Sequence, residues 1–325
     1  MPREPVSREM RGNGESSEQV AAEVFAVWAL LMSVAVCVLE TYARLPASDL
    51  YHVSRGGLSG GLSRALVYVD FPMALAAIAI ALVAYDRLGG RAAAVLTVLS
   101  ILLSAVVAWP GVVDQADLDA KVVNVVPALG VALALVLSAW AAWHRRVTFT
   151  AKLPLDPARV ITAVVLVFGA LPWLLAEAGF SVSDVPGLGR VFLGVQAGRA
   201  GGGETLQVVH LGHHHGADGL YLALAALLLS RVLPRLARLR GLASAYVALM
   251  LAYGAANYVQ DFWTEQIVKR GWTTRAIPSL LHPSLSLEWV AILFLAVCVE
   301  LGAFRWESRY QSNKEEARFD TGSFA

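Results

Sequence analysis

Four of the chain's seven histidines fall within six positions: His210, His213, His214 and His215, followed by Asp218. If this stretch is helical, His210, His214, Asp218 and Tyr221 fall on one stripe, with His213 beside them. Imidazoles one turn apart with a carboxylate are borderline ligands suited to zinc, iron or manganese. His210, His213, His214 and Asp218 are therefore the expected metal ligands. The competing readings are a hydrogen-bonded cluster that caps a helix and pairs with carboxylates, or a proton relay.

Two further groups bear on the same chemistry. Asp70 lies inside an apolar run, in Tyr68-Val-Asp70-Phe-Pro72. Tyr253, Asn257, Asp261 and Glu265 recur at i+4 steps and so share one helix face. Asp70 and Asp261 are the expected acid/base groups. The acidic run Asp114, Asp117 and Asp119 lacks the glycine and distal glutamate of a calcium loop and reads as solvated.

The segment His210-x-x-His213-His214 resembles one histidine box of the membrane fatty-acid desaturases and hydroxylases. The resemblance covers those residues alone. That family places several boxes on the cytoplasmic side, whereas His52, His144 and His282 form none, and its activity is not carried over.

The elements that must position these residues follow from composition. Of 325 residues, 57% are hydrophobic and 16% charged, against about 45–50% and about 25% in soluble domains. Lipid is the solvent this implies, and membrane lipids are the expected partners. A net charge of +1 gives no basic excess for nucleic acid. Cys37 and Cys298 both lie in apolar runs and read as buried thiols. A spanning helix needs about 20 apolar residues. Eight stretches qualify: 20–41, 65–85, 92–110, 122–143, 160–179, 210–231, 241–260 and 287–304. The predicted fold is an all-α integral membrane protein, a bundle of eight transmembrane helices. Residues 1–19 and 307–325 read as disordered cytoplasmic segments flanking a transmembrane domain at 20–304.

The sixth span fixes the depth of the histidines. The apolar stretch 220–230 rises only about 16 Å. Inward extension meets Arg231, Pro234 and Arg235; outward extension takes in the histidines. The short connections at 84–91, 144–159 and 231–240 carry ten Lys and Arg; the four alternate connections, nearly three times longer in total, carry nine. The dense set faces the cytoplasm by the positive-inside rule, with both termini. Glu40, Asp70, Asn124, Glu177, the histidines, Asp218, Asn257, Asp261 and Glu288 then lie toward the outer side, where an intramembrane ionisable group marks a site. The alternative is an interfacial polar belt paired to Arg44, Arg64 or Arg190.

The halves 20–146 and 160–306 read as two parallel four-helix repeats, each with an acid ending its first span (Glu40, Glu177), a Gly-rich patch read as a flexible connector, and an acid opening its second (Asp70, Asp218). The functional expectation is a metal-dependent, membrane-embedded enzyme with an outward-facing site for a lipid-like or small substrate. The alternatives are a transporter of a metal ion or small solute and a non-catalytic subunit of a membrane complex; a homo-oligomer or larger complex is the expected assembly.

Overall fold

The computed structural model describes residues 19–322 apart from 115, 116, 144, 196 and 200–204. Residues 1–18 of the expected N-terminal segment and 200–203 of the second Gly-rich patch lie outside the described residues. Among the described residues, seven helices are long and apolar enough to cross a membrane, or eight if a bent pair counts as one span. They are α1 (Ala22–Arg44), α2 (Gly57–Leu88), α3 (Gly90–Ala108), α4 (Val122–Ala142), the bent pair α5 (Asp156–Gly169) and α6 (Leu171–Glu177), α7 (His215–Arg235), α8 (Arg240–Val268) and α9 (Leu287–Lys314). The chain is an all-helical, multi-pass bundle. Two short ribbons complete it: Gln19–Ala21 pairs in parallel with Arg146–Thr148, and Ala197–Arg199 pairs antiparallel with Thr205–Gln207.

The helices differ in exposure because they occupy different layers. In α2 and α7 most of the apolar window is buried, whereas α3 and α9 bury little of theirs. Val290, Leu293, Phe294 and Val297 on α9, and Val160, Ile161, Val164 and Phe168 on α5, face outward. In a bilayer such faces meet acyl chains rather than water. α7 and α8 approach backbone to backbone: a Cβ added at Gly254 would come within 2.7 Å of the Gly219 carbonyl. Small residues permit this contact, which drives helix association where lipid supplies no hydrophobic gain.

Four departures from the sequence reading have local causes. The first Gly-rich patch is not a flexible connector: α2 begins at Gly57, and Gly61 lies against Leu39 and Ala43 of α1, so packing overrides glycine's low helix propensity. Pro72 lacks the N–H that would bond back along α2, and the helix takes a π turn over Val69–Met73 that carries Asp70. The fifth span bends by 62° between α5 and α6; Pro172 opens the second piece and turns Trp173 and Glu177 into the core. Beyond 307 the described part of the chain is helical, within Arg305–Gly322.

Ion pairs close one end of the bundle. Arg231 at the end of α7 meets Glu23 of α1 at 3.5 Å and Asp156 of α5 at 3.1 Å. Arg159 meets Asp156 at 3.2 Å and Glu307 at 2.5 Å, and also donates to Ser230 at 2.8 Å. Asp86 caps the 235–240 connection by accepting the N–H groups of Ala237, Arg238 and Leu239. The first described residues and the start of the C-terminal helix are thereby held at one end. The histidines lie at the other.

Candidate functional site

The histidine segment is not helical. α7 starts at His215, His214 is extended at its N-cap, and Gly212 takes a φ of 97°. That positive φ suits glycine; a side chain there would also collide with the Tyr42 ring. The expected stripe therefore does not form, and each histidine has its own environment.

His213 is buried between two carboxylates. Its Nδ1 is in ion-pair contact with Glu177 at the end of α6, and its Nε2 meets Asp218 in the first turn of α7 at 2.5 Å. Its backbone N–H donates to the Tyr42 hydroxyl at 3.1 Å. Tyr221 donates to Glu177, whose carbonyl accepts from Thr41. Burial works against the charged imidazole, but Asp218 and Glu177 outweigh it and push His213 up to about 9.

His214 contrasts with it. It is equally buried, yet neither ring nitrogen has a hydrogen-bond partner among the described residues. The nearest acid is Glu265 on α8, 3.9 Å from Nε2, whose other oxygen accepts from the Trp173 indole at 2.6 Å. His210 stacks on His214 with ring centroids 3.9 Å apart, and Tyr51 stacks on His210 at 4.5 Å. Burial holds His214 well below the usual imidazole range and lowers His210 to about 3. Both rings are therefore neutral near pH 7.

These residues border a cavity of about 410 Å³. Tyr51, Arg64, the four histidines, Asp261, Glu265 and Lys269 line it. Asp261 accepts the Gly216 N–H at 2.7 Å, at the start of α7, and His215 faces Asp218 at 3.6 Å. The Tyr253, Asn257, Asp261 and Glu265 face of α8 is turned into the protein as its spacing predicts: Tyr253 donates to the Leu281 carbonyl and Asn257 to that of Tyr253. Asp70 is fully buried beside the Asn124 side chain and is not part of the cavity lining. Of the two expected acid/base groups, only Asp261 meets the histidines.

The metal expectation is overturned. Among the described residues, no group of three or more His, Cys, Asp or Glu side chains is arranged to hold a metal ion. The reason is visible in the rings. Both nitrogens of His213 are taken by carboxylates, and that engages Asp218 as well. His210 and His214 lie nearly parallel, with 12° between planes, so their in-plane lone pairs run side by side rather than toward one point. His210, His213, His214 and Asp218 are thus not a ligand set. Zinc, iron or manganese as cofactor, a metal-binding histidine cluster and a metal-dependent enzyme are withdrawn with them.

The sequence places Glu177 among the outer-side ionisable groups and Glu265 on a helix stripe, but it assigns neither to a histidine. Arg64 carried a signal, a lone arginine at the head of an apolar run. Trp173 carried none, since only the bend before α6 aims it at Glu265. Compared with protein-family models, curated proteins and solved structures, the chain matches none of them.

Proposed function

We propose that the protein is a membrane-embedded site for proton transfer to or from a small polar molecule bound in the histidine-end cavity. His214 is the proton acceptor, Glu265 orients it, and Asp261 is the second acid/base group. The observation that carries this reading is the His214 ring: buried, neutral, without a hydrogen-bond partner among the described residues, and bordering a polar cavity. An unpaired buried imidazole is costly, and a base held within reach of a carboxylate in a cleft is the usual setting of acid–base chemistry. His213, clamped on both sides, is the positioning residue that fixes the turn into α7.

Access belongs to one side. Between the cavity and the ion-paired end, residues 76–84 on α2 and 222–229 on α7 are largely buried and are Ala, Ile, Val and Leu. The positive-inside count supports an outward-facing cavity with both termini cytoplasmic. Assembly into a homo-oligomer or larger membrane complex is proposed only through the apolar α9 face, which lipid covers equally well.

Two measurements test the reading. Diethyl pyrocarbonate modifies neutral, unpaired imidazoles; peptide mapping should find His214 modified well ahead of His213. In a variant freed of Cys37 and Cys298, Thr264→Cys should react with a membrane-impermeant maleimide added outside intact cells. Modification of His213 as fast as His214, or labelling of Thr264→Cys only from the cytoplasmic face, contradicts the proposal.

A further inference from the structure

Arg64 is a buried cation at the histidine end. It lies on α2, is 3% exposed and lines the cavity. Among the described residues no carboxylate pairs with it, and its Nε lacks a hydrogen-bond partner. Its guanidinium lies 5.8 Å from the centroid of the Tyr42 ring. A cation taken out of water needs a counter-charge, because desolvation costs several kcal/mol per ion.

The other charges of the cavity are already engaged. Asp261 accepts from Gly216 and Glu265 from Trp173. Lys269, one turn beyond Glu265, donates to the Val208 carbonyl at 2.6 Å. The two carboxylates belong to α8 and Lys269 directly follows it, whereas Arg64 lies on α2. His210 and His214 are neutral and add no charge.

We infer that Arg64 is the receptor for an oxyanion, the carboxylate or phosphate of the molecule that occupies this cavity. A guanidinium offers a planar fork of donors that matches either group with two parallel hydrogen bonds. Tyr42 supports the guanidinium from one face and donates no competing negative charge, and Tyr51, His210 and His214 form a stacked neutral wall beside it. The inference rests on the proton-transfer reading of the same cavity and names the substrate class: a small organic acid or phosphate ester, anchored by its anionic group on Arg64. The same chemistry occurs on an anionic lipid headgroup, and the test separates the two sources.

The experiment is thermal unfolding of the full chain in nanodiscs at constant ionic strength. In phosphatidylcholine discs, inorganic phosphate and succinate are titrated, with tetramethylammonium chloride as the cationic control. In a second arm, phosphatidylglycerol is added to the discs without free anion. Saturable stabilisation by phosphate or succinate, at least tenfold weaker in Arg64→Gln and intermediate in Arg64→Lys, supports a soluble oxyanion. Stabilisation by phosphatidylglycerol alone, lost in Arg64→Gln, supports a headgroup. Should Arg64→Gln fail to fold, Arg64→Lys against wild type carries the comparison, since it keeps the charge and loses the fork. No shift in either arm, or equal shifts in wild type and variants, overturns the inference. Labelling of Thr264→Cys is independent of it. A labelled cavity that ignores anions sinks only the oxyanion inference, and anion binding at Arg64 without outside labelling sinks only the one-sided access.

Discussion

The two ends of the bundle hold similar inventories of buried charge and treat them differently. At the ion-paired end, Glu23, Asp156, Arg159, Arg231 and Glu307 each face an opposite charge, and the network joins α1, α5, α7 and α9. At the histidine end, one triad is closed, Glu177–His213–Asp218, and beside the cavity His214 and Arg64 have nitrogens without a hydrogen-bond partner; at the ion-paired end Glu23 Oε2 and Arg231 Nε also lack one, but those side chains face an opposite charge. The first arrangement is a clamp, in which charge is neutralised inside the protein. The second leaves donors and acceptors that a bound molecule can satisfy. Buried polar groups are normally paired, so a local concentration of unpaired ones beside a cavity separates a site from a belt of span ends.

The contrast also divides positions that the sequence pattern equates. The repeat reading sets Asp70 and Asp218 at matching positions, whereas Asp70 lies well inside α2 and Asp218 at the start of α7. Asp70 sits in a π turn beside Asn124 with no opposite charge facing it among the described residues, and Asp218 sits in an α-helical first turn held by His213. The two-repeat organisation stands as a proposal, and any duplication has left these two acids with different work.

Breaking the clamp should have the largest effect. Arg159→Leu strands Glu307 in a buried position, and removal of one partner of a buried pair costs about 3–5 kcal/mol. Chemical unfolding in detergent should show this loss, and Arg159→Leu combined with Glu307→Leu should recover most of it. If the single variant is as stable as wild type, the clamp is not structural.

The closed triad should make stability depend on pH in a defined direction. His213 lies near 9 in the folded protein, against about 6.5 in an unfolded chain. A raised pKa contributes stability that is fully present below about 6.5 and is lost as pH rises toward about 9. The difference of roughly 2.5 units corresponds to on the order of 3 kcal/mol. Wild-type stability should fall across that window, and His213→Leu should flatten the fall. The same slope in the variant would assign it to another group.

Close packing behind the site should be next in size. A Cβ at Gly219 would press on the Gly254 carbonyl of α8; Gly219→Ala should cost about 1–3 kcal/mol, as overpacking does. The exposed pair Arg44–Glu40, 2.8 Å apart at the rim, should matter least: Glu40→Gln should change stability by less than about 1 kcal/mol. A larger change there would mean that the rim, too, is part of the clamp.

Much of the fold was legible because spanning helices are written in apolar run length, and all eight expected spans correspond to observed helices. The boundaries were less legible. Gly60 and Gly61 read as a connector because helix propensity says nothing about the neighbouring α1 backbone they pack against. The bend before Pro172 lies within a stretch long enough for one span, where Gly169 and Pro172 mark a break but not its angle. At the site, the histidine segment was found from density alone, and its depth followed from the shortness of 220–230. Its chemistry was misread, because i, i+4 spacing implies convergence only on a helix, and Gly212 breaks the helix before His215. Which ring meets which carboxylate depends on α6 turning Glu177 inward, a tertiary fact with no local signature.

The most direct test of the difference between the two ends is the stability of apolar replacements at each. Arg64→Leu and His214→Phe remove groups that serve a ligand rather than the fold, so each should leave stability unchanged or raise it, while Arg159→Leu lowers it by several kcal/mol, roughly 3–5. If Arg64→Leu and His214→Phe destabilise the protein as much as Arg159→Leu does, the histidine end is a second clamp and not a site.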